Sequence, residues 1–147
     1  MILDSSGKID HRSSSDKMQI LYVEDDKNSQ FLVELILRDK YDVDIAPHAR
    51  DVLKWVRLKK YDLILMDIKL DEGYSGIELT KEIRKLNDYK NVPVLAVTAM
   101  AFPEELNYMK QQGCTDTITK PIDFKIFKMK IADLLSQDEQ ANKTSSF

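Results

Sequence analysis

The side chains able to do chemistry in this sequence sit at the ends of short apolar runs. Gln19-Ile20-Leu21-Tyr22-Val23 leads into Glu24, Asp25 and Asp26; Leu63 to Met66 ends in Asp67; Pro93 to Val97 ends in Thr98; and the more polar Thr115 to Thr119 ends in Lys120. Three carboxylates gathered within about 5 Å repel by roughly 3 kcal/mol per pair at an effective dielectric near 20, so gathering them calls for positive charge. Lys120 offsets one of them. A divalent cation offsets more, and with oxygen ligands alone and no His nearby Mg2+ suits the set better than zinc. A carboxylate beside Mg2+, an ammonium and a hydroxyl make up the parts for handling a phosphoryl group, with Asp67 as the nucleophile. Taken singly, each residue has a plainer role, Asp67 as a strand-ending acid that solvates a turn among them. Their joint placement carries the inference.

Placement depends on the elements that carry them. Four consecutive apolar residues without Gly or Pro are too short for a helix and read as a buried strand of a parallel sheet. Tyr41 to Ala46 alternates as a half-exposed edge strand would, and Pro47 closes it. Between the strands the apolar spacing turns helical. Ser29–Arg38 is expected to face inward through Phe31, Leu32, Leu35 and Ile36, and the next helix through Val52, Trp55, Val56 and Leu58. Gly73 and Gly76 mark a loop, and after it Ile77, Ile83 and Leu86 face the core. Pro103 opens a helix that Gly113 stops. The last helix, Ile122 to Leu135, carries Phe124, Phe127, Ile131 and Leu134 on one side. Five alternations of strand and helix predict an α/β sandwich with a parallel sheet covered on both faces, because each crossover returns the chain to the same end. All strand ends then share one edge, where ligands of open α/β sheets bind, so topology can gather Glu24, Asp25, Asp67, Thr98 and Lys120.

Composition narrows the classes. A chain of 147 residues, 43% hydrophobic and 32% charged, is sized for one folded domain. A net charge of −3 without a basic run gives no footprint for nucleic acid. No apolar stretch reaches the roughly 20 residues that span a bilayer, and no secretory signal opens the chain, so no membrane partner is expected and the cytoplasm is the default. Cys114, the single cysteine, reads as a small buried hydrophobe. Residues 1–17 read as a flexible leader, 18–137 as the domain and 138–147 as a flexible tail.

The motifs Leu21-Tyr22-Val23-Glu24-Asp25-Asp26, Leu65-Met66-Asp67, Gly76-Ile77-Glu78, Val97-Thr98-Ala99 and Thr119-Lys120-Pro121-Ile122 resemble, in order, those of response-regulator receiver domains of two-component and phosphorelay signalling. The resemblance runs from Gln19 to Leu135. It implies a flavodoxin-like (βα)5 fold with strand order 2-1-3-4-5. Carried over, it makes Asp67 the acceptor of a phosphoryl group from a histidine kinase or a histidine phosphotransfer protein. Mg2+ would be held by Asp25, Asp67 and the backbone carbonyl of Lys69, with Glu24 acting through water. Thr98 would bond the phosphoryl group, Lys120 would pair with it, and Lys120-Pro121 would be cis. The family implies no enzyme beyond catalysis of its own phosphorylation and dephosphorylation. Output would pass through the face of the fourth helix, fifth strand and fifth helix, including Lys110, Lys125 and Lys128, to a downstream protein. Three departures stand out: Thr117 where the family often carries an aromatic, Asp71 in place of a loop Pro, and a loop to Gly76 one residue longer. Lys69 and Met100 occupy the positions whose side chains flank the phosphoryl group.

Rival readings fare worse. Neither G-x-x-x-x-G-K-[ST] nor G-x-G-x-x-G occurs among the four glycines at 7, 73, 76 and 113, which weighs against a nucleotide-binding module. A dehalogenase-type phosphatase resembles D-x-D, but Lys69 stands where its second acid belongs. A pseudo-receiver adapter would lack an acid, the Thr or the Lys, and none is lacking here. A receiver segment cut from a hybrid histidine kinase would read the same way.

Overall fold

The computed structural model describes residues 16–70, 73–99 and 102–144, those from 138 onward as backbone alone. The leader, apart from its last two residues, and Asp71 and Met100 lie outside the described residues. Five strands, β1 (Gln19–Val23), β2 (Asp42–Ala46), β3 (Leu63–Asp67), β4 (Val94–Thr98) and β5 (Asp116–Thr119), alternate with α1 (Lys27–Leu37), α2 (Val52–Leu58), α3 (Gly76–Arg84), α4 (Pro103–Gln111) and α5 (Phe124–Thr144). They form one parallel sheet in the order β2-β1-β3-β4-β5. This is the flavodoxin-like arrangement expected, with β2 and β5 at the edges.

Period-two alternation divides the strands between two cores. Leu21, Val23, Ile64, Met66, Val94 and Ala96 meet Val52 and Val56 of α2, Leu79 and Ile83 of α3, and Met109 of α4. Ile20, Tyr22, Leu63, Leu65, Leu95 and Val97 meet Val33 and Leu37 of α1 and Phe127, Ile131 and Leu134 of α5. Every residue of β3 and β4 is buried, as continuous apolar runs in a doubly covered parallel sheet require. Cys114 is buried in the first core and Trp55 packs against it, both as expected.

The expected inward face of α1 is corrected. Phe31 is 65% exposed, Leu32 45% and Leu35 42%, whereas Val33 and Leu37 are buried and Ile36 packs beside them. The inner stripe begins with the polar Gln30, whose Nε2 donates to the Glu24 carbonyl at 2.6 Å. An apolar count therefore favours the neighbouring face. Leu58 likewise points out to solvent. Helix α5 continues to Thr144, past the Leu135 at which periodicity ended it. Gln, Glu, Ala and Lys extend a helix by propensity without supplying an apolar stripe to read.

Two close fits hold the ends of the sheet. At the edge opposite the strand carboxyl ends, the half-buried Arg84 guanidinium donates to the carbonyls of Tyr89 (2.7 Å), Val92 (2.5 Å) and Gly113 (2.8 and 3.0 Å). It ties the end of α3 to the turns that enter β4 and β5, and Gly113 itself adopts a left-handed φ of +119°. At the carboxyl edge, Ser75 caps α3 by accepting from the Ile77 N–H at 3.1 Å, and the Gly76 N–H donates to the Ile68 carbonyl at 2.8 Å. A Cβ on Gly76 would overlap the Asp67 carbonyl oxygen and crowd Ile68 Cα, both of them backbone. Gly76→Ala is therefore expected to destabilise the fold by about 1–3 kcal/mol, as overpacking does. A lowered urea midpoint with an unchanged m-value would show it.

Candidate functional site

Each site residue is delivered by a strand end, and the ladder extends just far enough to fix it. The Glu24 N–H donates to the Ala46 carbonyl (3.2 Å), that of Ile68 to Val97 (3.1 Å) and that of Lys120 to Thr98 (2.8 Å), so pairing continues one residue past β1, β3 and β5. Lys120-Pro121 is cis. Acids from two strand ends meet: carboxylate oxygens of the adjacent Glu24 and Asp25 and of the sequence-distant Asp67 lie within 4.8 Å of one another. Glu24 and Asp67 are buried and Asp25 is exposed. Lys120 Nζ lies 3.4 Å from Asp67 Oδ2 and 3.5 Å from Glu24 Oε1. Thr98, buried, and Lys69, exposed, line the same cleft, which has a volume of about 370 Å3. The Lys69 N–H donates to Asp67 Oδ1 at 3.3 Å, which turns that carboxylate toward the loop.

Asp26 does other work. Its carboxylate accepts from the Ser29 N–H (2.9 Å) and Ser29 Oγ (2.7 Å), capping α1, so that although Asp26 also lines the cleft it is Glu24 and Asp25 that group with Asp67. These two bonds hold its pKa below the ordinary value. Thr117, where the family often carries an aromatic, is half-buried on β5. The contribution of Gln30 to the site escaped the sequence reading; a polar residue opening the inner stripe of α1 is the signal that could have found it. A wider groove of about 480 Å3 runs beside β2, where Tyr61 Oη and Lys59 Nζ both bond Asp44. It gathers no comparable set of acids, so volume alone would have picked the wrong place.

The electrostatics show what the cleft lacks. Burial, then the hydrogen bond and charge of Asp67, raise the Glu24 carboxyl well above its ordinary value of 4.5, and Lys120 offsets only part of this. Burial lowers the Lys120 ammonium, but Glu24 and Asp67 outweigh it and the net shift is upward. Glu24 Oε2 is buried without a hydrogen-bond partner among the described residues. One ammonium against three carboxylates leaves an excess of negative charge. An all-oxygen donor set with an orphaned buried carboxylate oxygen fits a hard divalent cation.

The response regulator receiver domain family matches residues 20–132 of this sequence. The chain belongs to that family. It is thus a receiver domain of two-component signalling. The polar-differentiation response regulator DivK of Brucella anthropi is 35% identical over 109 residues, which span 74% of this chain and 88% of DivK. The CAI-1 autoinducer sensor kinase/phosphatase CqsS of Vibrio cholerae is 31% identical over 123 residues, 82% of this chain but 18% of that much longer protein. Among solved structures, the receiver domain of sensor histidine kinase PA1611 from Pseudomonas aeruginosa is 28% identical, with a TM-score of 0.74, 82% of this chain covered and 98% of that one. That structure holds a magnesium ion coordinated in its active-site cleft. Among the described residues no helix is long and apolar enough to cross a membrane.

The raised Glu24 carboxyl sets a pH dependence of opposite sign to that of an ordinary ion-paired acid. Because its pKa in the folded state exceeds its unfolded value, the folded receiver favours the protonated form, and stability present below 4.5 is lost as pH rises above it. Glu24→Gln removes this term. In chelator, the thermal midpoint of the variant is expected to gain on that of the parent from about pH 5 to about pH 8. A constant difference across the range would contradict the assignment.

Proposed function

We propose that this receiver domain accepts a phosphoryl group on Asp67 from the phosphohistidine of a histidine kinase or histidine phosphotransfer protein and passes the change to a downstream protein. The observation that carries the reading is a buried carboxylate at the tip of the central strand with an ammonium 3.4 Å away and two further acids beside it. Asp67 attacks phosphorus, the bond from phosphorus to the imidazole nitrogen breaks, and its electron pair stays on the ring, which takes up a proton. The product is an acyl phosphate. Lys120, released from its shared carboxylates, pairs with the phosphoryl oxygens, and the Thr98 hydroxyl donates to one of them. Glu24, Asp25, Asp67 and the Lys69 carbonyl are the groups that would hold Mg2+, which when bound offsets charge on the transferring oxygens. The domain is a substrate of its donor and catalyses only its own phosphorylation and dephosphorylation. All the acids, the Thr and the Lys are present, which weighs against a pseudo-receiver.

The donor must reach Asp67 over the lip of the cleft, and α1 begins at that lip, capped by Asp26. Its outer face presents Phe31, Leu32 and Leu35 to solvent. An apolar patch beside an acid cluster suits a protein donor that buries apolar surface while delivering a single phosphohistidine. The downstream contact falls to the α4, β5 and α5 face, where Lys110, Lys125 and Lys128 are exposed.

Two experiments test these readings. With a small phosphodonor and Mg2+, mass spectrometry should place the added phosphoryl on Asp67, and Asp67→Asn should abolish labelling; an Asn variant labelled as readily as the parent would overturn the proposal. Phe31→Asp should slow transfer from a protein donor by about tenfold, the loss expected for one interface anchor, with labelling by the small phosphodonor unchanged. Equal loss with both donors would place Phe31 in the fold rather than in recognition.

A further inference from the structure

Tyr22 is among the largest fully buried side chains of the domain, held within the second core by Ile20, Leu63, Leu65 and Phe127. Its hydroxyl is buried without a hydrogen-bond partner among the described residues, and so is Glu24 Oε2. A phenylalanine would fill the same space without burying an unpartnered hydroxyl, so the hydroxyl is not explained by packing. Its position supplies an explanation. Tyr22 and Glu24 stand two residues apart on a strand whose ladder continues through the Glu24 N–H, which puts both side chains on one face. A phenol has one O–H to donate, and the buried, unpartnered Glu24 Oε2 is an acceptor on the same face.

We propose that Tyr22 is a positioning residue for the cation site: in the cation-free structure its phenol O–H and Glu24 Oε2 both stand unpartnered, and the O–H closes onto Oε2 when a cation engages Oε1, the oxygen on the Lys120 side. Glu24 needs such a tether. A glutamate has one more rotatable bond than an aspartate, and a ligand free to swing loses entropy when a cation fixes it. Carboxylates at metal sites are held in turn by outer hydrogen bonds, whose loss costs 10–100-fold in metal affinity. Gln30 grips the Glu24 backbone carbonyl at 2.6 Å, and Tyr22 would do the same for the far oxygen of the side chain.

The inference rests on the reading of Glu24, Asp25 and Asp67 as the cation site. The test is calorimetric titration of the whole chain with Mg2+. Tyr22→Phe should weaken affinity by about tenfold, while the thermal midpoint in chelator holds or rises because an orphaned hydroxyl is gone. In a Glu24→Ala background the same substitution should have no further effect on affinity. A merely structural Tyr22 would lower the chelator midpoint and weaken binding equally in both backgrounds. In the parent, the Tyr22 ring carbon bearing the hydroxyl should shift in the NMR spectrum with the same Mg2+ dependence as the heat, which needs no variant. Unchanged affinity in Tyr22→Phe, an undiminished loss in the Glu24→Ala background, or an NMR signal indifferent to Mg2+ would overturn the inference. A parent that bound no Mg2+ would overturn the cation site itself.

Discussion

Repulsion among like charges is the constraint on which the site depends. A parallel sheet sends every strand the same way, so acids that terminate β1 and β3 must converge at one edge, where water is partly excluded and their mutual repulsion grows. Lys120 lies 3.4 Å from Asp67 and 3.5 Å from Glu24, but a single ammonium cannot offset three carboxylates. The residual charge, together with burial, raises the Glu24 carboxyl above its ordinary value, so the cleft favours whatever brings positive charge to it.

Much of this was legible in the sequence because the strands advertise themselves. Leu63 to Met66 and Val94 to Val97 are buried on both faces, so they read as unbroken apolar runs, and the polar residue that ends each run marks the edge where chemistry belongs. Helix faces were harder. In α1 the segment Phe31-Leu32-Val33-Glu34-Leu35-Ile36-Leu37 is apolar nearly all round, and periodicity selects the wrong stripe because Gln30, on the true inner face, serves the site rather than the core. The need for Gly76 could not be read at all, since a close approach to the Asp67 carbonyl exists only once α3 is folded back on β3. Nor could Tyr22 be told from an ordinary aromatic core residue, because its unpartnered hydroxyl is a fact of packing.

The same helix shows how one short segment answers two demands. Inward, Val33 and Leu37 anchor it to the sheet, and Gln30 fastens its first turn to the Glu24 backbone. Outward, Phe31, Leu32 and Leu35 stay in water. Such a face is tolerable on a small domain only as a limited patch, and on the reading proposed above it is the surface that meets the donor protein.

The clamp made by Arg84 bears on where this domain can deform. One guanidinium spans the end of α3 and the turns entering β4 and β5, all at the pole remote from the acids, and it binds them through carbonyls whose positions the backbone fixes. Anchored there, the domain keeps its backbone freedom for the opposite pole, where the strand ends and the loops that follow them form the cleft.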